Sequence, residues 1–222
     1  MVLKALTGVG NEELLLASDD AFNIPASWSP DGRYLLFVRG QGPFSNTDVW
    51  VLPREGNGKP YPLLATPFNE TRPKFSPDGR WIAYVSNEDG PNQLYVIPFT
   101  APTATGAGEG RLPSARKVRV STGGAISPQW RRDDGRELFY LDPSSNAIMA
   151  ASVDGRGSEF SVGDTKPLFT ISAPDPTNAR AYDAAPDGRR FLVAIATDAA
   201  GSAPPPTVVL NWTSLLQPAG RR

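Results

Sequence analysis

The sequence predicts an all-β chain assembled from four copies of one sheet unit, and three observations predict it. A short stretch recurs: Ser29-Pro30-Asp31-Gly32-Arg33, then Ser76-Pro77-Asp78-Gly79-Arg80, then Arg132-Asp133-Asp134-Gly135-Arg136, then Ala185-Pro186-Asp187-Gly188-Arg189. The aspartates that precede the glycines stand 47, 56 and 53 residues apart, a period that marks a repeat architecture. Each copy leads into a β-rich apolar run, at 34–38, 81–85, 138–141 and 191–193. The chain also carries 23 prolines and 21 glycines in 222 residues, which suits many short strands joined by turns.

The recurring stretch has the chemistry of a hairpin turn. Pro30, Pro77 and Pro186 preset φ for the first corner. Asp31, Asp78, Asp134 and Asp187 suit the second corner, where a carboxylate reaches nearby backbone N–H groups. Gly32, Gly79, Gly135 and Gly188 take the left-handed conformation that closes the turn. These residues are therefore read as structural, not catalytic. In the third copy Asp133-Asp134 replaces Pro-Asp, so that turn should differ in shape.

Cut at these turns, the chain yields four groups of strands. The first has 23–28, 33–39, 47–52 and 61–65; the second 71–75, 80–86, 93–97 and 116–121. The third has 125–130, 136–141, 147–153 and 166–170; the fourth 179–184, 189–196 and 206–212, with no fourth strand after it. One further strand is expected over 12–17. The second strands, such as Tyr34-Leu35-Leu36-Phe37-Val38 and Trp81-Ile82-Ala83-Tyr84-Val85, are apolar at consecutive positions. Strands with one wet face alternate, so continuous runs need both faces covered. Four-stranded antiparallel sheets stacked face to face meet that need, and radial stacking of such sheets is a β-propeller. The expected blades are 21–66, 70–122, 124–171 and 178–213 within a domain over 12–216. Residues 1–11 and 217–222 are expected to be loose ends, and 98–115, rich in Ala, Gly, Pro and Thr, an inserted surface loop.

Trp28-Ser-Pro-Asp-Gly-Arg-Tyr-Leu-Leu and Phe75-Ser-Pro-Asp-Gly-Arg-Trp-Ile-Ala-Tyr resemble the WD40-like repeats of the TolB-type propeller family. Thr207-Val-Val-Leu-Asn-Trp-Thr213 resembles the end of bacterial proteins in which such a propeller follows a Ser/Thr protein kinase domain. Pro67-Phe-Asn-Glu, Tyr84-Val-Ser-Asn-Glu88 and Trp130-Arg-Arg fit that group. The resemblance covers about residues 12–216. It implies a propeller that mostly binds other proteins; other members cap peptidases of the prolyl oligopeptidase type. Ala184 stands in the fourth repeat where Trp28 and Phe75 stand in the first two, so its inner packing must differ.

Composition narrows the chemistry. A net charge of −1 gives no electrostatic case for nucleic acid. The absence of cysteine excludes disulfide and thiol chemistry, and the absence of histidine removes the usual partner of a nucleophilic serine and the commonest metal ligand. There is no Gly-x-Ser-x-Gly elbow, no phosphate-binding glycine loop with kinase spacing and no Asp-Phe-Gly. No signal peptide and no membrane-spanning apolar run is read, and the compartment stays open; it is extracytoplasmic if the chain belongs to a membrane-anchored or periplasmic protein. Asn87-Glu88-Asp89-Gly90 reads as a polar turn before it reads as a calcium loop. No catalytic, cofactor-binding or metal-binding residue is assigned.

The reading is a non-enzymatic protein-binding propeller with Phe44, Phe68, Asn69 and Glu88 as contact candidates, all on loops opposite the Pro-Asp-Gly turns. Two alternatives stay open: a sensor or accessory propeller of a kinase or peptidase, and a binder of small molecules or glycans at the channel mouth. Four blades are fewer than the six or more of the family's rings. An open arc cut from a larger propeller is expected, with self-association through exposed edges. A strand pair between Leu14 and Val208 would instead close the ring.

Overall fold

The computed structural model describes residues 1–4, 12–17, 21–42, 46–54, 58–101, 117–171 and 182–194. Among these residues every regular element is a strand. Three four-stranded antiparallel sheets follow one another, each laid out in chain order. Blade 1 is β3 (Phe22–Trp28), β4 (Tyr34–Gly40), β5 (Thr47–Pro53) and β6 (Tyr61–Leu64). Blade 2 is β7 (Glu70–Phe75), β8 (Trp81–Ser86), β9 (Gln93–Pro98) and β10 (Val118–Arg119). Blade 3 is β11 (Ile126–Trp130), β12 (Glu137–Asp142), β13 (Ala147–Asp154) and β14 (Ser161–Thr170). Blade 4 shows its first two strands, β15 (Tyr182–Ala184) and β16 (Phe191–Val193). The strand expected over 206–212 lies outside the described residues.

Two elements differ from expectation. The N-terminal segment is not wholly loose: β1 (Val2–Leu3) pairs with β2 (Glu13–Leu14), with Val2 opposite Leu14. Val208 lies outside the described residues, and no ring closes among those described. β14 is twice its expected length, because its pairing with β13 runs on past two register shifts, one passing over Leu168 and one over Gly163 and Asp164, with Pro167 paired opposite Met149. An outer strand tolerates proline because one of its edges needs no partner.

The Pro-Asp-Gly turns behave as their chemistry requires. The Ser29 hydroxyl donates to Asp31 Oδ1 at 2.5 Å, the Arg33 N–H donates to the same oxygen at 3.0 Å, and the Tyr34 N–H donates to Ser29 Oγ at 2.9 Å. The second turn repeats this set at 2.5, 3.1 and 3.0 Å through Ser76, Asp78, Arg80 and Trp81. Asp134 and Asp187 accept from Arg136 and Arg189 in the same way. All four turn glycines sit at φ between 66° and 73°, where a Cβ is strained. The third turn is one residue longer, since the Gly135 N–H reaches Arg131 O, whereas the Gly32 N–H reaches Ser29 O.

The cores lie between blades. At the three junctions the third residue after Asp-Gly-Arg of the earlier blade (Leu36, Ala83, Phe139) and the second of the later blade (Ile82, Leu138, Phe191) enter the shared core. Leu36, with Tyr34, Val49, Val51 and Leu63, shares a core with Phe75, Ile82, Tyr84 and Tyr95 of blade 2. Trp81, Ala83, Leu94 and Val96 share one with Trp130, Leu138, Tyr140 and Phe160 of blade 3. Phe139, Leu141 and Ile148 share one with Tyr182, Ala184 and Phe191 of blade 4. This two-sided burial is why the second strands read as unbroken apolar runs.

Trp28, Phe75, Trp130 and Ala184 are register equivalents, each opposite the second residue after its turn: Leu35, Ile82, Leu138 and Phe191. The last three are buried between sheets. Trp28 is 41% exposed, because its side of blade 1 has no neighbouring inner strands among the described residues. Beyond the inner strand that side is covered, where Met1, Leu15 and Leu16 pack against Leu35 and Phe37 of β4 and Leu52 of β5.

Replacing a fully packed indole leaves a cavity that costs about 3–5 kcal/mol. Trp130→Ala should lower the urea-unfolding free energy by that amount, since Trp130 is 5% exposed and its indole N–H donates to Lys74 O at 3.1 Å. Phe68→Ala, at an exposed loop position, should stay within about 0.5 kcal/mol. Equal losses in the two variants would contradict the blade packing.

Candidate functional site

In blades 1 to 3 the inner strand bulges shortly before its aromatic, between Pro25 and Ser27, Thr71 and Lys74, and Ile126 and Gln129. At the bulges Arg72 and Ser127 take φ of 54° and 53°, and the Arg72 guanidinium donates to Ser127 Oγ at 2.9 Å across the blade boundary. Non-glycine residues in that region are strained and gather where backbone is held for a purpose. Ser27, Lys74 and Gln129 follow these bulges and precede their Trp or Phe; Asp183 holds the same place before Ala184 in β15, whose pairing has no register shift.

These four residues, with Trp28 and Arg132, line a groove of about 400 Å³ at the end of the inner strands where the Pro-Asp-Gly turns lie. Its walls are also its fastenings. Ser27 Oγ accepts from the Phe75 N–H at 3.2 Å, and Lys74 Nζ donates to Ala26 O at 3.1 Å. Gln129 Nε2 donates to Tyr182 O at 2.6 Å while its Oε1 accepts from the Ala184 N–H at 3.3 Å, and Arg132 Nη2 donates to Ala184 O at 2.8 Å. The groove thus combines a fixed polar floor, two cationic side chains, one carboxylate at Asp183 and the exposed Trp28 indole. Sequence reading passes over these positions. The signal was available: they are the residues immediately before the aromatic in each aligned repeat.

The opposite face carries the loop candidates. Phe68 is exposed there, as expected for a contact residue. Asn69 is occupied internally: its Oδ1 accepts from the Thr47 N–H at 3.2 Å and its own N–H donates to Asn87 Oδ1 at 2.8 Å. Glu88 forms an ion pair with Lys117, and Asp89 accepts from the Tyr95 hydroxyl at 2.6 Å and pairs with Arg119 at 3.2 Å. The cations that meet Glu88 and Asp89 give this loop the polar-turn role. Phe44 lies outside the described residues.

Sequence reading quotes Glu70 only as the last residue of Pro67-Phe-Asn-Glu and gives it no role. It is 1% exposed, its Oε1 accepts from the Thr66 hydroxyl, and its Oε2 has no hydrogen-bond partner. Burial pushes its carboxyl up to about 7, against the Thr66 bond and helped by the Asp48 and Glu88 carboxylates. Burial also raises Asp48 and the Tyr84 hydroxyl on this side. Among the described residues no cluster of three or more Asp or Glu is placed to hold a metal ion.

No family model matches the sequence. Solved structures do match the fold. A putative TolB from Agrobacterium tumefaciens aligns with a TM-score of 0.52 at 18% identity, over 73% of this chain and 54% of that one. TolB from Acinetobacter baumannii aligns with a TM-score of 0.60 at 19% identity, over 87% of this chain and 42% of that one. The fold is that of a TolB-like β-propeller. The chain spans about half the length of these two TolB structures. A putative 6-phosphogluconolactonase from Bacteroides uniformis also aligns, with a TM-score of 0.49 at 17% identity over 78% of this chain and 48% of that one. No helix among the described residues is long and apolar enough to cross a membrane.

The buried carboxyl gives this TolB-like propeller a pH signature. Glu70's folded value is raised from its ordinary 4.5 to about 7. Between those values the folded chain holds a proton that the unfolded chain releases, so stability is full below the window and falls as pH rises through it. The loss is on the order of 2 kcal/mol. Urea midpoints at about pH 5 and about pH 8 should show this fall in the parent chain, and a smaller fall in Glu70→Gln, which keeps the acceptor for Thr66. Identical pH slopes in the two proteins would refute the assignment.

Proposed function

We propose that this chain is a non-catalytic binding module that receives a segment of a protein partner along the groove at its turn face. The observation that carries the reading is the groove itself. It is concave, rigidly floored by inter-blade hydrogen bonds, and edged by the exposed Trp28 indole beside Lys74, Gln129 and Arg132. Trp and Arg are the side chains that most often anchor a protein contact. The serine hydroxyls held by carboxylates, such as Ser29 by Asp31 and Ser76 by Asp78, belong to the Asp-Gly turns, and the sequence has no histidine to serve as a general base.

The groove is preferred to the loop face because Asn69 and Glu88 are engaged within the protein, and of the candidates there only Phe68 is exposed among the described residues. A glycan could stack on the same indole, and the test separates it from a protein.

A photo-crosslinking residue at Pro77, in the groove wall, and another at Phe68, on the opposite face, read the two surfaces separately. In extract from the native host, Pro77 should capture a defined protein, and Arg132→Glu should diminish that capture. Capture from Phe68 alone would move the site to the loop face. Loss of the Pro77 product on glycosidase treatment, with no peptide attached, would replace protein by glycan.

A further inference from the structure

One hydroxyl ties a surface loop to a buried carboxyl. Glu70 opens β7 opposite Ser86 of β8. The Thr66 hydroxyl donates to Glu70 Oε1 and accepts the Phe68 N–H at 3.2 Å, while Glu70 Oε2 has no hydrogen-bond partner. The loop that carries Thr66 and Phe68, residues 65–69, joins blades 1 and 2. Asn46 Nδ2 donates to Pro67 O at 2.6 Å, and the Thr47 N–H donates to Asn69 Oδ1 at 3.2 Å. On the blade 2 side the Asn69 N–H donates to Asn87 Oδ1 at 2.8 Å.

The groups that face Glu70 do not favour its charge. Asp48 of β5 and Glu88 of the loop after β8 bring carboxylates, and β8 brings the Tyr84 hydroxyl. The cations nearby have other partners. Lys117 pairs with Glu88, and Arg39 stands opposite Asp48 with its guanidinium 5.0 Å from the Trp50 ring centre. A buried carboxylate with one oxygen unbonded and two like charges beside it is costly, so the closed site holds the neutral acid. In water the same group ionises freely.

We propose that ionisation of Glu70 releases the 65–69 loop, so that Asn69 is bonded into the protein in acid and offered to solvent as the pH rises. A carboxylate that swings out to water drops the Thr66 hydroxyl, and the Phe68 N–H then loses its fixed acceptor. The sign follows from linkage. The open group ionises at its ordinary 4.5 and the closed one at about 7. The open fraction is therefore lowest below that window, rises with pH through it, and levels off above it. The full gain is on the order of a hundredfold. The device is separate from the groove on the turn face, and it gives the loop face a condition under which Asn69 becomes available.

Amide exchange of the full chain, followed residue by residue by NMR at about pH 5 and about pH 8, tests this. Protection factors, corrected for the intrinsic effect of pH on exchange, read the opening directly. Those of the Thr47 and Asn69 amides should fall by on the order of a hundredfold between the two conditions. Amides of β9 should stay better protected than Asn69 at both. Glu70→Gln should hold the Asn69 protection nearly constant with pH. Asp48→Asn, which keeps Glu70 and removes one repelling carboxylate, should shrink the fall. Protection of Asn69 that does not change with pH in the parent chain overturns the proposal. So does a fall that persists in Glu70→Gln, or one undiminished in Asp48→Asn. Equal protection of Asn69 and β9 at both values would also overturn it, because the loop would then open only when the whole chain unfolds.

Discussion

Burial of both faces of each second strand is the constraint on which the rest of this molecule depends. β8 shows it most fully, with Ile82 and Tyr84 in the core shared with blade 1 and Trp81 and Ala83 in the core shared with blade 3. A four-stranded sheet with one apolar face needs one partner; a sheet with two needs a partner on each side. The chain meets that demand by repeating the sheet. Fully burying one side chain of this size is worth about 1.5–3 kcal/mol, so the stacked faces, not the hydrogen bonds within a sheet, determine how the blades sit.

The turns convert that stacking into a fixed register. Asp31 and Asp78 each hold a serine hydroxyl and a backbone N–H with one oxygen, so strand 1 and strand 2 of a blade cannot slip without breaking both bonds. The turns also touch one another. A Cβ on Gly79 would lie 3.2 Å from Pro30 Cδ, and one on Gly135 would lie 3.4 Å from Pro77 Cδ. The N–H groups of Arg132 and Asp133 both reach Pro186 O at 3.1 Å. The face that carries the repeated motif is therefore a packed arc of turns, and the groove lies where its inner margin opens between Trp28 and Asp183.

Much of this was legible in the residues. The repeat, the hairpin chemistry and the two-faced strands follow from Pro-Asp-Gly and from runs such as Trp81-Ile82-Ala83-Tyr84-Val85. That the third turn differs follows from Asp133-Asp134; its extra residue does not. What the sequence cannot express is which face has a neighbour. Trp28 and Trp130 hold the same register position, yet only Trp130 has an inner strand packed over it among the described residues. Glu70 is hidden for a similar reason: its burial is created by the blade-to-blade contact around Thr66 and Tyr84, which no local pattern records. The groove lay between these cases. Ser27, Lys74, Gln129 and Asp183 share one repeat position but have no side-chain chemistry in common, so motif reading passes over them while alignment on the following residue finds them. The loop candidates were chosen for exposure and polarity, and polarity alone does not separate an available Asn69 from one already bonded to Thr47.

A propeller is a scaffold, and likeness to TolB structures at under a fifth identity speaks to the scaffold. The proposed function rests on what this chain places at its groove, and the groove depends on the stacking of blades 1 to 3 in one register. Native-state hydrogen exchange tests that stacking most directly. The account predicts the slowest amides in β8 and β9, which are covered on both faces, and faster exchange in β3 and β16, which are covered on one. Protection in β3 equal to that in β8, or exchange of blade 2 independently of blades 1 and 3, would contradict it.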